Sequence, residues 1–317
     1  MDKTKKENIE KNEPEKVSKK HSKKTWIVLG ICGVCFLAIG GTAGYFLGQS
    51  FFASQDAIDY SQYSAEELED NHEDLMRRYN EASPSTYLTK FKSYEFANIA
   101  LNKVGLHENV MSQTYGLVNA MGVKQTVRAT SIKNENKYFL ENISASSMVQ
   151  AAKRFYQEGD QVITYNGGSV STDKATWSEQ AQSTLSKKEH EDKWGKNLSR
   201  PSIYIISKAT ALSTSKVEKD GDRYKVSIDI DPKLGVLRYV KQMIEISGVS
   251  SPKFHSIHME MTLDSDLSLI QTKINEKYSV VMVVKAESDA EMTEYFTYDQ
   301  GKTIPDLKTN CDYSRGE

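Results

Sequence analysis

The sequence predicts an α+β protein: one N-terminal transmembrane helix, then an extracytoplasmic domain with a large curved antiparallel sheet, half-barrel-like, under two or three covering helices. Three observations carry that reading. An uncharged and mostly apolar run begins at Thr25. Beyond the first helices the apolar pattern changes period from 3.6 to 2. The last strands are joined by turns of three to four residues, too short for the crossover that a parallel pair needs.

No charge occurs across residues 25–55, and residues 26–47 are 22 consecutive, largely apolar positions. As a helix they reach ~33 Å, enough for a hydrocarbon core of ~30 Å. A cleavable signal peptide has a shorter apolar region and an A-x-A-like exit. Here the exit reads Gly48, Gln49, Ser50, Phe51, Phe52, Ala53. A lipidated cysteine needs a small residue before it, whereas Cys32 follows Ile31 and Cys35 follows Val34. An uncleaved span is expected over 25–52.

Residues 1–24 carry nine lysines against five acids, and the first eight charges after the span, from Asp56 to Asp74, are all acidic. The positive-inside rule puts the N-terminus in the cytoplasm and the C-terminal domain outside. The expected organisation is a disordered basic tail at 1–24, the span at 25–52, a connector with an amphipathic helix at 53–83, and the α+β domain at 84–317. Gly40, Gly44 and Gly48 share one face of the span, and small residues at that spacing let a second helix approach. They are the candidate for a homodimer contact. Cys32 and Cys35 read as small packing residues within lipid. Outside, Cys311 stands alone, so no disulfide forms within one chain; a cell surface built without cystine suits a Gram-positive bacterium.

Along the outer chain, Ser64 and Glu67 form a capping box for a helix with Leu68, His72, Leu75, Met76 and Tyr79 on one face. Ser83, Pro84 and Ser85 end it. A second helix is expected over 94–104. Val123, Gln125, Val127 and Ala129 alternate with Lys124, Thr126, Arg128 and Thr130, and Asn134, Glu135 and Asn136 turn that strand into 137–143. A short strand at 161–165 closes at Asn166, Gly167 and Gly168. A charged helix follows over 185–195, then a strand at Tyr204, Ile205 and Ile206. A hairpin around Asp220 and Gly221 joins 209–218 to 223–230. Asp231 and Pro232 start a helix with Leu237, Val240 and Ile244 on one face, stopped by Gly248. Finally Ile257, Met259, Met261 and Leu263 alternate with His258, Glu260 and Thr262; Asp264, Ser265 and Asp266 turn into 267–278, and 287–290 turn again into 292–298. The sum is eight to eleven strands.

No catalytic motif is present. His255 and His258 are three apart on a strand and point to opposite faces. Asp264 and Asp266 could open a calcium loop, but Leu269 occupies the place of its obligatory glycine. No enzyme, metal or cofactor is expected, and a formal net charge of −2 gives no attraction for nucleic acid. Strand tyrosines and phenylalanines, with Met243, Met259, Met261 and Met282, would make a soft inner face. Ile257, Met259, Met261 and Leu263 are the candidate apolar ligand face; a filled core accounts for the same pattern.

The order of helix, hairpins, helix and three long strands resembles the LolA-like lipoprotein-carrier superfamily. The resemblance is carried by Phe254 to Asp264, by Tyr278, by the aromatic strand Glu294, Tyr295, Phe296, Thr297 and Tyr298, and by the Ile304, Pro305 tail. It extends over 85–305 in pattern and has no diagnostic motif. It implies a half-barrel whose helices close a hydrophobic cavity for lipid or acyl chains. The anchor departs from those carriers and implies sensing or local hand-over. The expected function is therefore a single-pass envelope protein that touches the cytoplasmic membrane and binds a lipid, a lipoprotein or a partner protein outside it. The alternative is a structural or regulatory ectodomain with a solid core and no ligand.

Overall fold

A computed structural model of the protein describes residues 63–120, 122–147, 150–171, 174–247, 252–281, 285–299 and 304. The tail at 1–24, the span at 25–52 with Gly40, Gly44 and Gly48, the connector before Tyr63, Gly248 and Cys311 lie outside the described residues. Among those described, no helix is long and apolar enough to cross a membrane.

The domain is α+β, with one twelve-stranded sheet in which every pairing is antiparallel. In chain order the strands are β1 Asn109–Ala120, β2 Val123–Asn134, β3 Lys137–Ala145, β4 Gln150–Glu158, β5 Gln161–Val170, β6 Ala175–Trp177, β7 Ser183–Ser186, β8 Lys216–Asp220, β9 Arg223–Ile230, β10 Lys253–Leu263, β11 Leu269–Val281 and β12 Lys285–Tyr298. Among the described residues the helices are α1 His72–Asn80, α2 Tyr87–Lys90, α3 Ser93–Leu106, α4 Lys187–Trp194 and α5 Leu237–Ser247. There are thus more strands and more helices than the sequence pattern predicts.

The spatial order is β6-β5-β4-β3-β2-β1-β12-β11-β10-β9-β8, with β7 on β5. Two meanders meet where the first strand pairs with the last, from Val110 opposite Tyr298 to Ala120 opposite Ser288. Short turns make each meander, because only antiparallel neighbours can be joined so tightly. Alternation then gives the sheet two faces.

One face carries α3, whose Phe96, Ala97, Ile99 and Ala100 are fully buried. Ala97 and Ala100 keep the helix slim where it lies on the sheet. Its first turn is held by Glu95, whose carboxylate accepts from the Lys92 N–H at 2.8 Å and from Arg78 at 2.5 Å. Tyr87, Phe91, Phe96 of α3 and Tyr224 contact one another in turn, tilted or edge-on, and Tyr204, Tyr239, Phe254 and Tyr278 make a second aromatic chain. On the opposite face Val170 and Ala175 pack over Ile143 and Ala152, and Ile304 covers Met111, Ile132 and Phe139. A Cβ at Gly167 would come within 2.5 Å of the Ala152 Cβ, so only glycine allows that crossing.

Several expectations are corrected. The first helix begins at His72, capped by Asn71 accepting from the Asp74 N–H; the Ser64 hydroxyl instead bonds Glu66. β5 runs on through Gly167 and Gly168 to Val170. Tyr204, Ile205 and Ile206 are buried but not a strand: the Ile205 N–H donates to the Gly235 carbonyl and the Ile206 carbonyl accepts from Asn98. Asp231 caps Lys233 and Leu234, yet the regular helix starts only at Leu237, and its buried side is Tyr239, Val240 and Met243, with Ile244 exposed. Residues 287–290 are no turn; they sit within β12, opposite Ser279, Tyr278, Lys277 and Glu276.

Candidate ligand cavity

Between α3 and the sheet lies a cavity of about 210 Å³. A single buried water needs about 10–15 Å³ on that measure, so the space is far larger than a packing defect. Its walls come from β4, β3, β2, β1, β12, β11 and β10 on one side and from Leu101, Val104 and Gly105 of α3 on the other. Trp194 at the end of α4 and a lid of irregular chain, residues 195–204, line a third side. Leu140, Phe155, Met259, Ile274, Met292 and Phe296 give apolar wall; Ser112, Thr114, Ser131, Asn142 and Thr272 add hydroxyl and amide groups.

The lid is placed by identifiable contacts. Gly195 ends α4 in the left-handed region at φ 78°, and a Cβ there would strike the Arg238 carbonyl at 2.3 Å. Only glycine lets α4 stop so close to α5. Farther along, the Thr210 hydroxyl donates to the Ile205 carbonyl at 2.7 Å, and the Lys208 N–H donates to Asp70 at 3.0 Å.

Two opposite charges face this space. Lys196, on the lid, donates to the Arg200 carbonyl at 3.3 Å. Glu294, on β12, accepts a hydrogen bond from Ser112 of β1. Both are half-buried, and both line the cavity. Burial pushes the Glu294 carboxyl up, against the Ser112 hydrogen bond and Lys196. Burial pushes the Lys196 ammonium down, with Glu294 opposing and Arg200 reinforcing. The two sense each other's charge without forming an ion pair at contact distance among the described residues. The other cations on the wall are committed. Lys133 donates to the Gly105 and His107 carbonyls at 2.6 and 2.5 Å, and Arg200 to Glu69 at 2.8 Å.

Next to the cavity Glu276 is fully buried, and the Tyr204 and Tyr239 hydroxyls both donate to it. Burial raises it to about 8. His190 lies against Phe155 and Trp194, and burial lowers it to about 4. A second recess of about 270 Å³ adjoins the lid from the side of α1, lined by Glu69, His72, Asn98 and Asn102 among others.

Of the predicted ligand face, Met259 lines the cavity. Ile257, Met261 and Leu263 are packed solid in the main core. Sequence reasoning missed Lys196 and Glu294, which no motif links across the chain. His258 pairs at the surface with Asp229 at 2.7 Å. Among the described residues no group of three or more His, Cys, Asp or Glu is arranged to hold a metal.

No protein-family model matches the chain, and no curated protein matches it. Among solved structures, a DUF1329 family protein from Desulfovibrio piger aligns at 12% identity over 67% of this chain and 93% of its own, with a TM-score of 0.27. The YwiB protein from Bacillus subtilis aligns at 9% identity over 60% of this chain and 92% of its own, with a TM-score of 0.19. Scores this low leave the fold resting on its own strand order and the site on its own geometry.

Proposed function

We propose that this is a non-catalytic, single-pass membrane protein whose domain lies outside the cytoplasmic membrane and holds an apolar ligand, a lipid or the acyl part of a lipoprotein, in the cavity beneath α3. The single observation behind it is that cavity. Phe155 of β4 and Met259 of β10 stand six strands apart in pairing order yet border the same space. In a flat sheet they would be ~29 Å apart, so the reading takes the sheet as bent around its ligand in half-barrel fashion. The charge asymmetry about residues 25–52 supports the topology, and Gly40, Gly44 and Gly48 support a dimer through the span.

The full chain, purified in a mild detergent, is expected to carry lipid detectable by native mass spectrometry and solvent extraction. Ala129→Phe, which fills the wall on β2, is expected to lose it while keeping the circular dichroism of the parent. A clean mass for the parent would remove the ligand, and protection of the domain from protease added to intact cells would remove the topology.

A second reading, a regulatory ectodomain, is favoured by one observation. Glu69, in the segment that leads from the expected span, is gripped by Arg200 of the lid and Arg238 of α5, each at 2.8 Å.

A further inference from the structure

The wall chemistry narrows the ligand. We infer that the cavity takes a single-chain amphiphile with an uncharged head that both donates and accepts hydrogen bonds, a hydroxyl or amide head such as a monoacylglycerol carries, seated between Lys196 and Glu294. This inference rests on the ligand-binding reading above and adds the class of ligand.

Lys133 makes two short bonds to carbonyls and Arg200 is paired with Glu69, whereas Lys196 has one longer bond, to the Arg200 carbonyl at 3.3 Å, and Glu294 one from Ser112, so these two line the space with hydrogen-bonding capacity to spare. They are opposite in sign and each is the other's long-range counter-charge. An anionic head would satisfy Lys196 and stand against Glu294; a cationic head would do the reverse. Either would set a like charge beside one of these two half-buried groups, which is costly where water is partly excluded. A neutral head bridges both: its oxygen accepts from the Lys196 ammonium and its O–H or N–H donates to the Glu294 carboxylate. Ser112, Ser131, Asn142 and Thr272 supply further polar partners on the same wall. A volume of about 210 Å³ has no room for two chains side by side, so the ligand is single-chained, with part of a long chain outside the cavity.

Trp194 borders the cavity and gives the readout. The full chain carrying Trp26→Phe, which silences the tryptophan of the expected span, is placed in phosphatidylglycerol nanodiscs. It is then titrated with three brominated single-chain probes: 9,10-dibromostearoyl glycerol, 9,10-dibromostearate, and the choline ester of the same acid. Bromine quenches a tryptophan only in contact, and Trp194→Phe should abolish the cavity component. The monoglyceride is expected to quench at a concentration at least tenfold below the other two. Lys196→Met and Glu294→Gln are each expected to erase that preference while leaving the thermal melt cooperative. Equal or stronger quenching by the acid or the choline ester overturns the inference and leaves a ligand cavity standing. Quenching by none of the three overturns the inference and the ligand-binding reading together.

Discussion

Glu69 and Arg200 are 131 residues apart in the chain, yet the Glu69 carboxylate accepts from the Arg200 guanidinium at 2.8 Å. The same oxygen accepts from Arg238 at 2.8 Å, and Arg238 is only 5% exposed. One acid therefore ties the approach segment to both the lid and α5.

Glu69→Gln keeps the shape and removes the charge, leaving Arg238 buried against a neutral amide. The expected loss is about 2–3 kcal/mol in chemical denaturation. Limited proteolysis should show faster cutting ahead of His72. An unchanged midpoint and cleavage pattern would mean that the two arginines find other acceptors.

Glu276 and His190 contribute opposite pH dependences to stability. A folded-state value of about 8 for Glu276, against an ordinary 4.5, means the folded chain keeps a proton that the unfolded chain releases over that window. Stability therefore falls with rising pH between 4.5 and 8, by up to about 1.4 kcal/mol per unit. His190, lowered from 6.5 to about 4, acts oppositely: stability rises with pH between those values. The two nearly cancel from 4.5 to 6.5, and the net fall lies between 6.5 and 8. Glu276→Gln should flatten that fall in thermal melts across pH and keep the rise on the acid side.

Arg154 and Glu141 form a buried pair on the face away from α3, with Nε and one terminal nitrogen of Arg154 at 2.6 Å from the same oxygen. Trp177 stacks on the guanidinium at 4.0 Å. Arg154→Met alone should cost about 3–5 kcal/mol, because it strands Glu141 in a site where burial already raises its carboxyl. Arg154→Met with Glu141→Leu should recover most of that. A double-mutant cycle in urea measures the difference, and equal losses in single and double variants would contradict the pairing.

Gly195→Ala should cost about 3 kcal/mol, combining left-handed backbone strain with the contact against the Arg238 carbonyl. Trp194, one residue earlier, should shift in fluorescence because the lid leaves its seat.

How much of this is legible in the sequence depends on what faces each strand. β10 is plain, since Ile257, Met259, Met261 and Leu263 are all buried while His258, Glu260 and Thr262 between them are half-buried or exposed. β1 went unread because its inward positions Ser112, Thr114 and Gly116 serve the cavity wall or a tight crossing at Met292 rather than an apolar core. β4 was hidden by Lys153 and Arg154, buried through Asn166, Gln182 and Glu141, which erase any apolar period. At 287–290 the acids Glu287 and Asp289 look like a turn, while Ser288 and Ala290, which alternate with them, are buried. The lid reads as a strand at 204–206 because burial was visible and its hydrogen-bond partners were not. The cavity pair of Lys196 and Glu294 depends wholly on long-range closure.

The β1–β12 seam has a consequence for biogenesis. Val110 finds its β12 partner, Tyr298, only 188 residues later in the chain. At ribosomal speeds of about 5–20 residues per second, that wait lasts roughly 10–35 s. Throughout it the nascent N-terminal meander offers a raw hydrogen-bonding border to any passing polypeptide.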